Sequence, residues 1–260
     1  MAAFNFKKKY GQNFLNDDNI IDKIVNSINP TSNDLIVEIG PGGGALTKKL
    51  QKYNANILAF EIDKDTSKYL DKIVNSKTRI IYEDFLKVDV QDYLKEYTYD
   101  FLFIVGNLPY YITTAILEKI IDSNIDANIV TIMVQKEVAA RFLAKSHSKE
   151  YGYMTVLLHY FYDIKKITDV KRTCFYPIPN VDSAVVQLVK RVNKQKVGYQ
   201  QFKSLLQESF KFKRKKLLNN ITSIDKDILI KILDKNGFTN DARAEEIDFD
   251  TFVELALNKR

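Results

Sequence analysis

Leu35-Ile36-Val37-Glu38-Ile39-Gly40-Pro41-Gly42-Gly43-Gly44-Ala45 decides the fold. Leu35–Ile39 is a short apolar run that stops at a glycine, as a strand buried on both faces does. The glycines after it let the backbone turn sharply and approach a ligand with no side chain in the way. Gly44–Tyr53 then reads as helix. A strand, a glycine-rich turn and a helix in that order open a doubly wound α/β unit. The turn alone does not name its ligand. Gly40, Gly42 and Ala45 also satisfy the loose dinucleotide fingerprint, and a tight turn with no ligand uses glycines in the same way.

The alternation continues outward from this segment. Upstream, Asn16 or Asp17 is placed to cap a helix running to about Ser27, with Ile20, Ile21, Ile24, Val25 and Ile28 at helical spacing. Downstream, Ile57–Phe60, Arg79–Tyr82, Phe101–Val105 and Ile129–Val134 read as strands, and Asp65–Asn75, Thr113–Asp122 and Val138–Ala144 as helices. Met154–Tyr162 and Ala184–Val189 are long apolar runs. The pattern predicts an α/β fold with a Rossmann-like parallel sheet covered by helices on both faces. Polar Arg191–Tyr199 interrupts it and reads as a linker. Beyond it Phe202, Leu205, Leu206, Ser209 and Phe210 share one helix face, Leu229, Ile232 and Leu233 another, and Phe249–Leu257 forms a third helix. Two domains are expected, 1–192 and a small all-helical 199–260.

Composition sets outer bounds. In 260 residues, 45% hydrophobic and 28% charged residues are enough for a core and too apolar for disorder. The single cysteine, Cys174, excludes an intramolecular disulfide and a multi-cysteine zinc site. Met1–Tyr10 is basic with no apolar stretch after it, unlike a signal peptide. No apolar run reaches the roughly 18 residues of a membrane span, so a soluble cytoplasmic protein is expected. The net charge of +6 favours a polyanionic partner, and Arg191–Arg260, with 15 Lys+Arg against 10 Asp+Glu, carries nearly all of it.

Two carboxylates follow the glycine loop. Glu61 ends the second strand about 20 residues on, where a carboxylate accepts hydrogen bonds from ribose hydroxyls. Asp84 sits just past the third strand and could accept from an adenine amino group. Together they indicate a nucleoside without choosing between a nicotinamide dinucleotide and S-adenosylmethionine.

Gly106-Asn107-Leu108-Pro109-Tyr110 makes that choice. It follows the fourth strand, and ligands of open α/β sheets sit at the carboxyl ends of strands. An exocyclic adenine amine is a poor nucleophile because its lone pair is delocalised into the ring. The side-chain oxygen of Asn107 and the carbonyl of Leu108 can each accept one of its N–H groups, freeing the lone pair toward a sulfonium methyl. Pro109 stiffens the loop. Tyr110 offers a flat face to a flipped base, worth about 1–3 kcal/mol by stacking. No strong general base is required, since positioning and polarisation carry the reaction. His147 and His159 match no triad or metal spacing, and no metal is expected.

With these motifs the chain resembles the ribosomal RNA adenine N6,N6-dimethyltransferases, the small-subunit dimethyladenosine transferases, over nearly its whole length. The similarity rests on Tyr10-Gly11-Gln12-Asn13-Phe14-Leu15, on Glu38–Thr47, on Asn107–Tyr110 and on Phe175-Tyr176-Pro177-Ile178-Pro179-Asn180-Val181-Asp182-Ser183-Ala184. In the tail it rests on Arg214-Lys215-Lys216-Leu217-Leu218-Asn219 and Arg243-Ala244-Glu245-Glu246. The resemblance implies a class I methyltransferase sheet with S-adenosylmethionine as cofactor. It implies that Asn13 and Leu15 contact the cofactor from the N-terminal arm, that Gly40 and Gly42 pack against it, and that Glu61 holds its ribose and Asp84 its adenine. Asn107 then lies between cofactor and target amine, and Phe175 stacks on the target base opposite Tyr110. The implied substrate is a pair of adjacent adenines in a hairpin loop near the 3′ end of small-subunit rRNA, within an assembling small subunit, and the enzyme is expected to be a monomer. Related alternatives are a macrolide-resistance-type enzyme acting on 23S rRNA and a non-catalytic ribosome-assembly or transcription factor. Leu108, where the macrolide-resistance enzymes carry isoleucine, and Arg243–Glu246 favour the small-subunit enzyme.

Basic side chains complete the reading. Lys7, Lys8 and Lys9 flank the arm, and Phe210–Lys216 interleaves aromatics with five cations on what reads as one helix. Lys213, Arg214, Lys215 and Lys216 are expected to neutralise RNA phosphates.

Overall fold

The structure, a computed structural model, describes residues 12–192, 196–212 and 214–259. The elements begin with β1 (Phe14–Leu15), α1 (Asp18–Ile28), β2 (Leu35–Ile39), α2 (Ala45–Leu50), β3 (Asn56–Phe60), α3 (Ser67–Leu70), β4 (Thr78–Ile81), α4 (Val90–Leu94), β5 (Leu102–Asn107) and α5 (Thr113–Asp122). They continue with β6 (Ile129–Gln135), α6 (Lys136–Phe142), α7 (Tyr153–Phe161), β7 (Tyr162–Val170), β8 (Phe175–Tyr176) and β9 (Ser183–Lys190). The tail holds α8 (Tyr199–Ser209), α9 (Leu217–Asn220), α10 (Lys226–Lys235) and α11 (Phe249–Leu257).

Seven strands form one sheet in the order β4-β3-β2-β5-β6-β9-β7, and β1 pairs with β8 in a separate ribbon. β2 pairs in parallel with both β3 and β5, and β5 in parallel with β6. The chain thus winds outward from β2 first to one side and then to the other, which leaves a crevice beyond the carboxyl ends of β2 and β5. The all-parallel expectation fails at β9, which runs antiparallel to β6. β9 is buried along most of its length, and an apolar run encodes burial but not direction.

α1 covers one face of the sheet. Asp17 caps it, accepting from the N–H groups of Asn19 and Ile20, a contribution of about 1 kcal/mol. Its buried stripe of Ile20, Ile21, Ile24, Val25 and Ile28 joins a cluster with Leu46, Leu50, Phe103 and Val105. Each such side chain contributes roughly 1.5–3 kcal/mol by leaving water. Asp65–Asn75 is a short 3-10 turn plus α3 rather than one helix. Asn75 Oδ1 accepts from Lys77 N and the Thr78 hydroxyl, an Asx-type turn that ends the segment and starts β4.

By its contacts the chain divides into two units, one comprising the described residues up to Ala139 with Lys165–Lys190, the other Ala140–Ile164 with the residues from Arg191 on. The division differs from a boundary at 192–199 because the apolar run from Met154 is helical to Phe161 and packs with the tail. The Tyr160 ring lies 4.8 Å from that of Phe202, and its hydroxyl donates to Val197 O. Within the second unit the described residues of the basic run are not helical. α8 stops at Ser209, where the Asn220 amide donates to the carbonyls of Ser209 and Phe212, and Arg214 sits at φ +71°. No helix among the described residues is long and apolar enough to cross a membrane.

Gly106 is a tight point of the sheet. A Cβ there would lie 2.7 Å from the Ile39 carbonyl oxygen and 2.9 Å from Leu108 Cδ2. Backbone on the neighbouring strand cannot yield as a side-chain tip can. Gly106→Ala is expected to destabilise the protein by about 1–3 kcal/mol, the cost of overpacking, read as a lower urea midpoint with an unchanged slope; an unaltered midpoint would refute the close approach.

Candidate active site

The β2 and β5 loops meet in the crevice: a Cβ on Gly40 would stand 4.0 Å from the Asn107 carbonyl oxygen. Around this point is a cavity of about 300 Å³ whose lining includes Asn13, Leu15, Gly40, Gly42, Glu61 and Asp84, and Asn107 through Tyr110. Residues anticipated from five separate stretches of sequence therefore share one wall.

The glycine loop is shaped by backbone geometry and by one carboxylate. Gly42 adopts φ +54°, and the Phe14 ring lies over it, 2.7 Å from where a Cβ would be. Glu61 is 4% exposed. Its Oε2 accepts from Gly42 N at 2.9 Å and its Oε1 from Asp63 N at 2.8 Å. Burial pushes its carboxyl up, and these two backbone donors oppose that shift. A carboxylate can accept about four hydrogen bonds, so capacity remains for a ligand hydroxyl. Asp84 Oδ1 accepts from Leu86 N, and its side chain remains at the cavity wall.

Asn107 is fixed from the N-terminal arm. Its Nδ2 donates to Asn13 O at 2.8 Å, which leaves Oδ1 as the free acceptor of that amide. Neither this oxygen nor the Leu108 carbonyl takes a hydrogen bond from a described residue. Tyr110 is anchored at its tip, its hydroxyl 2.7 Å from Ser183 Oγ. Burial raises its phenol, the Ser183 bond opposes this, and Asp182 adds to the rise. Ile62, Phe85 and Leu86 supply an apolar flank. A pair of carboxylates, a side-chain-free turn and an apolar flank fit an adenosine-bearing cationic cofactor.

One expected residue stands elsewhere. Phe175 is 3% exposed, lies in the hydrophobic cluster beneath α1 and does not line the cavity. The β1–β8 register explains this: Leu15 pairs with Phe175 and Phe14 with Tyr176. Paired residues of an antiparallel ribbon point to the same face, so Phe175 follows Leu15 into the core. In this conformation its ring packs in the core and not against the cavity.

The tail cations also separate. Lys216 is ion-paired with Asp241 and bridges in backbone to Arg243. Lys211 and Lys215 place their ammonium groups 5.4 and 4.6 Å from the ring centroid of Phe212. Arg243–Glu246 has a local role, since Glu246 Oε2 accepts from Arg243 N and caps a 3-10 turn. Lys7, Lys8, Lys9 and Lys213 lie outside the described residues.

Sequence reading missed Glu38, although it stands in the quoted motif. It is 1% exposed, accepts from the Thr47 hydroxyl at 2.8 Å through Oε2, and has no partner for Oε1 among the described residues. Nothing in a strand-end glutamate distinguishes a buried side chain from a solvated one; only packing does. Phe14 and Ser183 were likewise quoted in motifs without a role.

A sequence model of the family described as ribosomal RNA adenine dimethylase matches residues 3–259. The ribosomal RNA small subunit methyltransferase A of Aster yellows witches'-broom phytoplasma (strain AYWB) is 42% identical over 259 residues, covering 96% of this chain and 95% of the relative. The solved dimethyladenosine transferase of Plasmodium falciparum aligns at a TM-score of 0.79 and 23% identity, covering 94% of this chain and 96% of that one. The solved 23S rRNA methyltransferase ErmE aligns at 0.72 and 22%, covering 95% and 99%. These two solved structures establish the likeness of fold.

Burial pushes the Glu38 carboxyl up to about 7, against the Thr47 hydroxyl and with help from the charge of Glu61. The unfolded chain releases this proton near 4.5, so between the two values the folded state holds more protons and stability falls as pH rises. Glu38→Gln is expected to gain on the parent protein between pH 5 and pH 8 by on the order of 3 kcal/mol, measured by urea unfolding. A difference independent of pH would contradict the assignment.

Proposed function

The chain belongs to the ribosomal RNA adenine dimethylase family, and we propose that it transfers methyl groups from S-adenosylmethionine to the 6-amino groups of two adjacent adenosines in a 3′-terminal hairpin loop of small-subunit rRNA. The product is N6,N6-dimethyladenosine, made in the cytoplasm by a monomer acting on an assembling small subunit.

The hydrogen bond from Asn107 Nδ2 to Asn13 O carries this reading. It turns the amide so that its oxygen remains for the target amine. Asn107 Oδ1 and the Leu108 carbonyl accept the two N–H bonds, and the amine nitrogen becomes pyramidal, with its lone pair exposed. When bound, S-adenosylmethionine supplies a methyl group on a positively charged sulfur. Glu61 holds the ribose hydroxyls, Asp84 the adenine amine, and Gly40 and Gly42 admit the methionine part. Tyr110, pinned by Ser183, presents its ring to the flipped base. A loop base is already largely unstacked, so flipping costs little. The methylated amine sheds its proton to solvent. After the first transfer one N–H remains, and one acceptor suffices for the second.

The substrate assignment draws on the relative named for the small subunit, 42% identical; the fold is shared with a 23S rRNA enzyme and does not discriminate. Residues 199–260 are read as an RNA-holding domain, with Arg214 and Lys215 as its phosphate contacts. Lys216 is weaker in this role because Asp241 already neutralises it.

Incubation with labelled S-adenosylmethionine and immature small subunits, large subunits or naked RNA is expected to give labelled dimethyladenosine in the small subunit alone. Label in the large subunit would move the assignment to the 23S-type enzyme, and none would leave an assembly factor. Asn107→Ala is expected to lower turnover by about 100-fold or more, the loss typical of a positioned polar group, with cofactor affinity by calorimetry nearly unchanged. Arg214→Ala with Lys215→Ala should flatten the salt dependence of RNA binding by about two phosphate contacts, and Lys216→Ala should not; equal slopes for all three proteins would refute the division.

A further inference from the structure

Beside the cavity, on the segment tied to Tyr110 through Ser183, lies an apolar and cationic ridge that the chemistry at Asn107 does not use. Among the described residues ten large hydrophobic side chains are exposed, and five of them are Ile62, Tyr111, Tyr176, Ile178 and Val181. Ile62 and Tyr111 line the cavity itself. The other three fall within six residues of one another, in the segment that leads to Ser183, and Ser183 is tied to Tyr110. Exposed apolar groups scattered singly need no explanation, but a group gathered at the mouth of a site does.

The β1–β8 register gives the ridge its direction. The Phe14 ring lies over Gly42 of the glycine loop, and Tyr176 is its cross-strand partner, so the two rings share the ribbon face opposite Leu15 and Phe175. While Phe175 is buried with Leu15, Tyr176 is 63% exposed, and Tyr111 is 65% exposed. Cations accompany the rings. Arg172 N donates to Asp182 Oδ1 at 2.9 Å, its guanidinium reaches Asn180 O at 3.5 Å, and Lys136 N donates to Asp182 O at 3.0 Å. Lys136, Lys171 and Arg172 are therefore held beside the aromatic segment with exposed side chains. Glu137 and Asp182 are the acidic neighbours; one oxygen of Asp182 is occupied by the Arg172 backbone.

Rings with π-faces interleaved with phosphate-reaching cations suit unpaired nucleotides. Resting on the reading of the cavity as a site for a flipped adenine, we propose that the ridge binds the nucleotides that flank the target base. A neighbouring base stacks on Tyr176 with Ile178 beneath it, another lies against Tyr111, and Lys171, Arg172 and Lys136 take the phosphates between them. The ridge thereby holds the strand on which two adjacent adenosines must enter one cavity in turn.

The probe is a fluorescein-labelled RNA hairpin with the two adjacent adenines in its loop, and a second hairpin in which the loop nucleotides flanking them are abasic. Tyr176→Ala is expected to bind the first hairpin about ten-fold more weakly than the parent, a typical effect of removing one stacking ring, and to bind the abasic hairpin as the parent does. Lys171→Ala with Arg172→Ala is expected to flatten the salt dependence on both. Calorimetric affinity for S-adenosylmethionine and the urea midpoint, which a folding defect would move, should stay at parental values in all variants. Parental binding of the intact hairpin by Tyr176→Ala, or equal weakening on the abasic hairpin, would overturn the proposal while leaving small-subunit labelling by the parent intact. Failure of the parent itself to label small-subunit adenosine would remove the functional reading and this surface with it.

Discussion

β2 and β5 approach so closely at their carboxyl ends that the Ile39 carbonyl leaves no room for a side chain on Gly106. That contact places two loops in one crevice, because each strand ends within one residue of it. The glycine turn brings side-chain-free backbone, and the β5 loop brings two carbonyl-type acceptors. Parallel pairing on both sides of β2 holds them there, with α1 and its isoleucine stripe pressing from one face.

Polar groups then fix what packing has gathered. Glu61 binds the glycine loop through Gly42 N and its own strand exit through Asp63 N, so a residue expected to serve a ligand also organises the turn. The Asn107 amide is oriented by a backbone carbonyl of the arm. Gln12 adds a bond from the same arm to Asp63. In each case one hydrogen bond fixes the group and leaves further acceptor capacity on it. Glu38 is the exception, with one oxygen unmatched among the described residues and a proton held to about pH 7.

The second unit solves a different problem. Its helices bury Phe202, Leu206, Leu233 and Phe252, and its turns are closed by side chains that read as generic polar residues in sequence. Asn220 ends α8 by capturing two carbonyls, and Glu246 caps the turn at Arg243. The described cations of the basic run thereby lie outside any helix, one neutralised and others left near an exposed ring.

What the sequence alone determined was whatever depends on residue type and local spacing. The strand–glycine–helix opening, the existence of the central strands, α5 and α11 to the residue, and the gathering of Gly40, Glu61, Asp84 and Asn107–Tyr110 around one cavity were all legible, because periodicity and strand-end position fix them. What only the tertiary structure decided was direction, face and partner. β9 is antiparallel, the 154–162 run belongs with the tail, Phe175 turns inward while Tyr176 turns out, and Lys216 meets Asp241. Each of these depends on a residue far away in the chain, and a local pattern carries no information about which distant group arrives opposite it.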